Sequence, residues 1–400
     1  MREMKDSGVI SIGLIPVNWS VRKFKTLAKL CNGREVNVDE GCVPVYGSGG
    51  IFKWTNIPLH SGESLLMGRK GTIDNPMLVK GEFWTVDTMF YTSEFYDIKG
   101  KFLYYCCKGT INYGYYKSGS VLPSMTQMEI NNVFLPYTTS LEQDKIVNVL
   151  DKKCAQIDAL IANQQTQIEK LKAYKQSLIT EVVTKGLGPD VPMKDSGVEW
   201  IGMIPEHWEN KRGKALFQEI ETRSNDGSEE LLTVSQYTGI TPRSQKNVTM
   251  FEALSLEGYK VCEIGDIAAN TMWLWAGAIG VSEYRGVISP SYNVYRQRHN
   301  NFIPKYLDLL LRAPMLVQEY ASLSTGIRTS RLRLYPNDFF NIHFPVPPIT
   351  EQQAIIEALD NKFSSVDTLI TLKQAKIEKL EQYKKSLIYE YVTGKKEANN

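Results

Sequence analysis

The residues best equipped for chemistry lie in an arginine-rich stretch near the end of the chain. From Ser324 to Arg333 the sequence reads STGIRTSRLR, in which arginines alternate with small hydroxyl residues. A guanidinium suits guanine edges and phosphates, and Ser or Thr hydroxyls bond to bases and backbone alike. The pattern favours contact with DNA, and an ordinary solvated surface is the alternative. The candidates are Thr325, Gly326, Arg328, Thr329, Ser330, Arg331 and Arg333.

The first half of the chain carries a second group of possible DNA contacts. Lys and Arg suit guanine, Gln suits adenine, and Gly beside a basic residue allows the backbone to approach a phosphate closely. For this group too, a solvated charged face is the alternative. The glycine-rich run 47–50 is at least as consistent with a structural turn as with a phosphate cradle. The candidates are Lys53, Arg69, Lys70, Lys117, Ser118, Gly119, Ser120, Ser124, Thr126 and Gln127.

No motif in the sequence supports catalysis by this chain itself. Pro189-Asp190 followed by Glu209-Asn210-Lys211 matches the PD…ExK pattern of nucleases only formally. The first pair falls in a predicted linker, and Glu209 is matched by Ser20 in an internal repeat. The sequence contains neither the Asn/Asp-Pro-Pro-Tyr/Phe motif of adenine methyltransferases nor a GxxxxGK[ST] phosphate loop. We therefore expect no catalytic residues.

The composition is that of an ordinary globular protein with two or three domains: 400 residues, 22% charged and 42% hydrophobic. A net charge of +2 excludes a uniformly basic DNA-coating protein but permits local basic patches. Six cysteines without CxxC spacing and four scattered histidines predict free thiols in a reducing cytoplasm, with no metal and no cofactor in this chain. No signal-like start and no run of about 18 apolar residues occurs, so we expect neither a signal peptide nor a membrane span.

Two blocks of the sequence occur twice. Met4–Val9 (MKDSGV) returns as Met193–Val198, 189 residues later. Glu142-Gln143 returns as Glu351-Gln352, 209 residues later, and opens the second repeated block. The sequences between these blocks differ. A duplicated frame with two divergent inserts therefore indicates one scaffold that presents two different recognition surfaces.

Each copy of the second block predicts a long helix with an apolar seam at heptad spacing. Both seams carry polar residues at the same two positions, Gln164 and Lys175 in one copy and Lys373 and Lys384 in the other. A stripe this narrow needs a matching stripe, so we expect the two helices to pair. The short linker 187–192 makes the pair antiparallel, with an approximate two-fold relation between the halves. The seam residues are Ile157, Ile161, Ile168, Leu171, Leu178, Val182, Val366, Ile370, Ile377, Leu380, Leu387 and Tyr391.

The inserts read as mixed α/β domains, with strand-like runs separated by Gly, Asn and Pro. The predicted strands include 83–92 in the first insert and 266–275 in the second. Trp273 and Trp275 would face the same side of the latter strand, and we expect them to pack in the core rather than stack on bases. The remaining predicted elements are strands 64–67, 77–79, 278–281 and 291–296 and a helix over 305–311.

The whole arrangement resembles the specificity (S) subunits of type I restriction–modification systems. The resemblance depends on the twin openings Ile12–Pro16 and Ile201–Trp208, and on the Pro-rich runs that lead into each Glu-Gln pair. Weaker similarities lie in the inserts. These are Val45–Ile51, Gly68–Ile73, Trp273–Gly280 and Thr325–Arg328.

The resemblance implies that each insert reads one half of a bipartite, asymmetric DNA site. The helices would set the spacer between the half-sites and dock two modification subunits, which bind S-adenosylmethionine and methylate adenine at N6. A restriction subunit would add cleavage driven by ATP and Mg. The alternatives are a non-catalytic coiled-coil interaction scaffold and the specificity subunit of a methylation-only or type IIB-like system.

Domain boundaries follow from the same resemblance. The expected division is a first target-recognition domain at 1–140, a long helix at 141–186, a second recognition domain at 187–348, a long helix at 349–395 and a disordered tail at 396–400.

Overall fold

The chain forms two compact units that each contain one insert and a part of both long helices. The first unit comprises Met1–Thr166 with Lys373–Asn400, and the second comprises Gln167–Leu372. Both mix helices with sheets, so the predicted mixed α/β class is confirmed. The structure, a computed structural model, describes residues 2–36, 40–117, 122–246, 255–326 and 332–398.

The first unit contains two four-stranded sheets and two small two-stranded ones. Its strands are β1 (Met4–Asp6), β2 (Leu14–Pro16), β3 (Ser20–Lys23), β4 (Ala28–Asn32), β5 (Val43–Gly47), β6 (Gly50–Thr55), β7 (His60–Ser61), β8 (Ser64–Gly68), β9 (Met77–Val79), β10 (Glu82–Thr85), β11 (Met89–Phe95) and β12 (Phe134–Tyr137). Its helices are α1 (Gly100–Thr110), α2 (Gln127–Asn132) and the start of α3 (Ser140–Lys185). The larger sheets have the orders β4-β11-β8-β9 and β6-β5-β10-β7. The core packs Phe102 and Leu103 of α1 with Leu65, Met67 and Phe90 of the first of these sheets.

The second unit repeats the first of these sheets and replaces the other with two strand pairs. Its strands are β13 (Met193–Asp195), β14 (Met203–Pro205), β15 (Glu209–Arg212), β16 (Phe217–Ile220), β17 (Leu232–Ser235), β18 (Gly239–Pro242), β19 (Lys260–Cys262), β20 (Ile267–Ala269), β21 (Ile279–Val281), β22 (Gly286–Ile288), β23 (Asn293–Gln297) and β24 (His343–Val346). Its helices are α4 (Gly213–Leu216), α5 (Pro304–Leu311), α6 (Pro314–Leu323), α7 (Pro336–Asn341) and α8 (Ile349–Val392), of which α8 continues into the first unit. The main sheet has the order β16-β23-β20-β21. Its core is aromatic, with the rings of Tyr295 and Phe339 stacked at 4.4 Å.

Two predicted strands differ from the observed ones because turns interrupt them. The run 83–92 forms β10 and β11, which belong to different sheets, since the Met89 amide bonds to the Val86 carbonyl at 3.0 Å and closes a turn. The run 266–275 stops at Ala269. There the Asn270 side chain accepts the amide proton of Met272 at 3.2 Å and starts a turn.

A glutamate in the first turn of each long helix accepts a hydrogen bond from a buried indole. Trp19 Nε1 donates to Glu142 Oε2 at 2.8 Å, and Trp208 Nε1 donates to Glu351 Oε2 at 2.8 Å. The two indoles are 1% and 0% exposed. In each unit, the repeated opening is thus tied to the start of a long helix by the same bond.

The glutamine beside each of these glutamates bridges two loops. Gln143 accepts the Lys99 amide proton at 2.8 Å and donates to the Thr138 carbonyl at 2.8 Å. Gln352 accepts the Ile303 amide proton at 2.8 Å and donates to a carbonyl just before its helix at 2.9 Å. Both glutamines are fully buried, so their polar groups depend on these bonds.

The carboxylate of Glu142 is held in its ionised form. Burial alone would raise its pKa, but hydrogen bonds from Thr138, Trp19 and Arg2 outweigh burial, and the pKa lies below its usual range. Because the folded-state pKa is depressed, this group stabilises the fold at neutral pH. That contribution is lost as the pH falls through the folded-state pKa.

The seam residues of the two long helices are turned away from solvent. Ile157, Ile168, Leu178, Val182, Val366, Ile377, Leu387 and Tyr391 are buried, and the other four of the predicted set are half-buried. Within the second unit the helices run antiparallel, since Lys175 lies beside Asp367 while Gly186 lies beside Glu351. The observed helices, α3 and α8, begin and end at most three residues from the predicted bounds 141–186 and 349–395.

Two of the polar seam positions form ion pairs with the opposite helix. Lys175 bonds to Asp367 at 2.7 Å within the second unit, and Lys384 bonds to Asp158 at 2.6 Å within the first. Each pair maps onto the other under the 209-residue repeat. Lys175 also lies over the ring of Phe363 at 4.5 Å. A seam lysine thus buries its stem while its ammonium group reaches a carboxylate.

The end of the chain extends the first unit. The sequence predicts a disordered tail over 396–400. In the structure the Lys396 amide donates to the Glu390 carbonyl at 3.1 Å, and Ala398 packs against the core of the first unit. Residues 399 and 400 lie outside the described residues.

A left-handed glycine follows each long helix and gives a matched pair of substitutions. Gly186 and Gly394 both have φ of 71°. A β-carbon at Gly394 would lie 2.5 Å from Pro16, whereas one at Gly186 would lie 3.2 Å from Trp208. We expect both alanine variants to lose about 1–2 kcal/mol from backbone strain, and Gly394→Ala to lose more because Pro16 must move.

Thermal unfolding of the full chain checks this expectation. The control is Gly49→Ala, since Gly49 has open space around its α-carbon and should tolerate the change. Equal shifts of the unfolding midpoint for Gly186→Ala and Gly394→Ala would contradict the packing argument.

Candidate nucleic-acid interface

Three segments of the first unit meet beside the end of β8. The Met125 amide donates to the Arg69 carbonyl at 3.0 Å, and Lys70 and Ser124 form an antiparallel bridge. Gly71 has φ of 83°, and a β-carbon there would lie 3.1 Å from the Ser48 hydroxyl of the β5–β6 turn. We call residues 68–72 and 123–126 the first loop face. It brings together Arg69, Lys70, Ser124 and Thr126 of the sequence candidates.

The two cations of the first loop face differ in how firmly they are held. Arg69 is half-buried, and its Nη1 donates to the Asp87 carbonyl at 3.3 Å. Lys70 is exposed, and its backbone is fixed by the bridge to Ser124. The rigid backbone presents both side chains at one edge of the sheet.

Two other predicted lysines are engaged within the protein. Lys117 Nζ bonds to Asp74 Oδ2 at 2.6 Å, and this hydrogen bond holds the pKa of Asp74 below its usual value. Lys53 Nζ donates to the Val36 carbonyl at 2.8 Å and so supports the backbone of a neighbouring loop. Ser118, Gly119 and Ser120 lie outside the described residues.

Thr126 and Gln127 serve the start of α2. Thr126 is its N-cap: its side chain accepts from the Glu129 amide at 3.2 Å, and the Glu129 carboxylate accepts the Thr126 amide proton at 2.6 Å. Gln127 Nε2 donates to the Leu30 carbonyl at 2.8 Å. These polar groups therefore have structural partners, which the sequence alone does not reveal.

In the second unit, the described residues at the two ends of the arginine-rich stretch are bridged. Thr325 and Arg333 exchange two backbone hydrogen bonds, each 2.9 Å long. Thr325, Gly326 and Arg333 are exposed. The candidates Arg328, Thr329, Ser330 and Arg331 lie outside the described residues.

The two units build this region on the same backbone plan. The Leu334 amide donates to the Thr271 carbonyl at 3.4 Å, as the Met125 amide does to Arg69. Leu334 and Met125 are 0% and 1% exposed and lie 209 residues apart. We call residues 270–275, 325–326 and 332–335 the second loop face. Its position after β20 corresponds to that of the first loop face after β8.

The second loop face carries two tryptophans that the sequence predicts, wrongly, to lie on a strand. Trp273 and Trp275 lie in a turn after β20 and not on a strand, because the strand ends at Ala269. Trp273 is 48% exposed, so the expectation of core packing is wrong for it. The buried residue of the turn is Leu274, at 0% exposure. The expected placement depends on the two-residue period of a strand, which does not apply to a turn.

The described parts of the chain contain no group of three or more His, Cys, Asp or Glu residues placed to hold a metal ion. None of the helices described combines the length and apolar character needed to cross a membrane.

The capping role of Thr126 gives a prediction that separates fold from function. Thr126→Ala removes the capping box, and we expect a loss of about 1 kcal/mol of stability. Thr126→Ser keeps the hydroxyl and should unfold at the same denaturant concentration as the parent chain. An alanine variant of unchanged stability would contradict the structural assignment of this residue.

Comparison with known proteins adds a relationship along most of the chain. No protein-family model matches it. It is 26% identical over 360 residues to the type I restriction enzyme MjaVIII specificity subunit of Methanocaldococcus jannaschii, covering 85% of this chain and 78% of that protein. It is 23% identical over 287 residues to a second protein of that organism, named as the type I restriction enzyme MjaX specificity subunit, covering 68% of this chain and 61% of that protein.

A solved structure supports the same relationship at the level of the fold. It comes from work on complex assembly and conformational transition of the type I R-M system, and it is 14% identical to this chain with a TM-score of 0.63. The match covers 94% of this chain and 98% of the other. Over most of its length the chain is thus similar in sequence to specificity subunits of type I restriction–modification systems, and its fold is similar to that of a chain solved in work on such a system.

Proposed function

We propose that this chain is the DNA-specificity subunit of a type I restriction–modification complex. Each insert reads one half of a bipartite, asymmetric site, and the long helices set the spacer and dock two modification subunits. The observation that carries the proposal is the pair of loop faces, which share one backbone plan but differ in side chains. The turn after β8 presents Arg69 and Lys70, whereas the corresponding turn after β20 presents Thr271, Met272 and Trp273.

Two different surfaces on equivalent loops suit two different half-sites. Base-edge recognition is set by the side chains that reach the groove, whereas phosphate contacts fix only the position of the protein. A repeated backbone can therefore place both loop faces in the same way while their side chains select different bases. Identical loop faces would instead read a symmetric site.

Catalysis belongs to partner subunits in this proposal. Modification subunits would supply S-adenosylmethionine and transfer its methyl group to adenine N6, and a restriction subunit would cleave DNA with ATP and Mg. The sequence supports this division, because it lacks methyltransferase and phosphate-loop motifs. A methylation-only or type IIB-like system would use the same specificity subunit in the same way.

A protein-interaction scaffold is the second candidate function. The paired helices and their ion pairs would suit assembly equally well. The scaffold predicts no DNA sequence preference, so selection of bound DNA from a random library distinguishes the two functions. A bipartite motif supports specificity, and the absence of any enriched motif would refute it.

Matched arginine variants should separate the half-sites. We expect Arg69→Ala to relax recognition of one half-site and Arg333→Ala to relax the other, each with a loss of roughly 1–3 kcal/mol for a base contact. The measurement is the methylated motif in long-read sequencing of DNA from cells that express the chain with its modification partner.

Controls for this experiment lie away from the loop faces, near the starts of β8 and β20. Lys80 follows β9 and pairs with Glu63, which precedes β8, and Arg285 precedes β22 and pairs with Glu263, which lies before β20. Lys80→Ala and Arg285→Ala should leave both half-sites unchanged. If either Arg69→Ala or Arg333→Ala relaxed the recognition of both half-sites, the assignment of one half-site to each unit would be contradicted.

If the helices set the spacer, the spacer length should change without any change in the two recognition surfaces. We expect four residues, about one helical turn, inserted after Thr166 of α3 and after Leu372 of α8 to lengthen the spacer. These points coincide with the boundaries of the two units, so each unit keeps its internal contacts. The methylated motif should retain both half-sites with a longer gap between them. An unchanged gap would contradict the proposal that the helices set the spacer.

A further inference from the structure

The second loop face carries a tryptophan pair in which Trp273 is exposed and Trp275 is half-buried. The rings of Trp273 and Trp275 are stacked, with centroids 5.6 Å apart and planes inclined by 25°. Trp273 is 48% exposed, and its neighbour Met272 is 36% exposed. Large aromatic groups left in contact with water mark surfaces that bind something.

The turn that carries the pair is rigid. Leu274 is fully buried, and the Trp275 indole donates to the Met272 carbonyl at 3.0 Å. The Trp273 amide donates to the Asn270 carbonyl at 3.0 Å, and its carbonyl accepts from the Ala278 amide at 3.1 Å. Trp273 is therefore held outward with one face supported by Trp275, so little conformational entropy is lost when the other face is covered.

The surroundings of Trp273 suit DNA. Thr271 hydrogen bonds to Leu334, which places the exposed residues Arg333 and Tyr335 beside the same turn. In the first unit Arg69 corresponds to Thr271, since it accepts the equivalent amide bond from Met125, and Lys70 follows it. A cation and aromatic rings at one edge are the combination that binds phosphates and base faces together.

We propose that Trp273, backed by Trp275, is a specificity-determining residue that packs on the face of a base in the second half-site. This inference depends on the proposed function and deepens it, because the two units would then recognise DNA through different kinds of interaction. The first unit would use charged donors, and the second would use an aromatic face. Apolar side chains that insert at a base step favour sequences that unstack easily, so selectivity arises without a hydrogen bond to the base.

The test combines affinity with a local probe of stacking. The full chain, in complex with its modification partner, binds its own site with 2-aminopurine placed in turn at each position of the second half-site. We expect the parent complex to change the fluorescence at one step, where a base is unstacked, and Trp273→Ala to abolish that change. Affinity for the site should fall roughly tenfold or more, as for the loss of one base–aromatic stack.

Two controls keep the result specific. Ile264→Ala removes an exposed apolar side chain, 70% exposed, beyond the other end of β20 and should change neither affinity nor fluorescence. Trp273→Phe keeps a ring and should retain the fluorescence change with a smaller loss of affinity. Base substitutions in the first half-site should weaken the Trp273→Ala complex as much as they weaken the parent.

The outcomes are distinguishable from failure of the proposed function. A parent complex without sequence preference refutes the function itself. Specific binding with the same affinity and fluorescence in Trp273→Ala overturns the inference and leaves the function standing. Loss of the modification partner by Trp273→Ala, with unchanged DNA affinity of the chain alone, would assign the pair to a protein contact and also overturn the inference.

Discussion

At the start of each long helix, a glutamate carboxylate accepts a hydrogen bond from a buried indole N–H. The side-chain amide of the adjacent glutamine bonds to the backbones of two loops. Trp19–Glu142 and Trp208–Glu351 form these bonds at 2.8 Å with almost no solvent exposure of the indoles. An unpaired polar group at such a site would cost roughly 1–3 kcal/mol, so loss of either partner would weaken the joint between the opening and the helix. Because the joint connects the opening, the insert and the helix, the loop faces keep a fixed place within their units however much their side chains diverge.

The repeated parts of the structure were predictable because their signals are local or periodic. Heptad spacing alone identifies the seam residues, which begin with Ile157 on α3 and end with Tyr391 on α8. This prediction needs only the helical period. The partners of the seam lysines were not predicted, because Asp158 and Asp367 lie off the apolar stripe and meet Lys384 and Lys175 only across the helix pair. Likewise the repeat marked Glu142-Gln143 as important, but its role depends on Trp19 and on loops distant in sequence.

The loop faces were less predictable, because the type of a residue does not determine which group it contacts in the fold. Thr126 and Gln127 have the chemistry to read DNA, yet they cap α2 and hold the Leu30 carbonyl. Conversely, Trp273 was expected in the core because its spacing from Trp275 suits a strand, and only the turn begun by Asn270 turns it outward. Composition favoured the basic candidates, whereas the backbone decides which side chains reach solvent.

The ion pairs in the seam explain how a symmetric pair of helices settles on one register. Apolar residues at heptad spacing pack acceptably after a shift by one heptad, so they specify pairing better than register. A shift would leave Lys175 and Lys384 without their aspartates and would place half-buried ammonium groups against apolar neighbours, which is costly. The polar positions thus lower the stability of wrong alignments more than that of the observed one. Since the proposed spacer is measured along these helices, a unique register is also what a defined gap between half-sites requires.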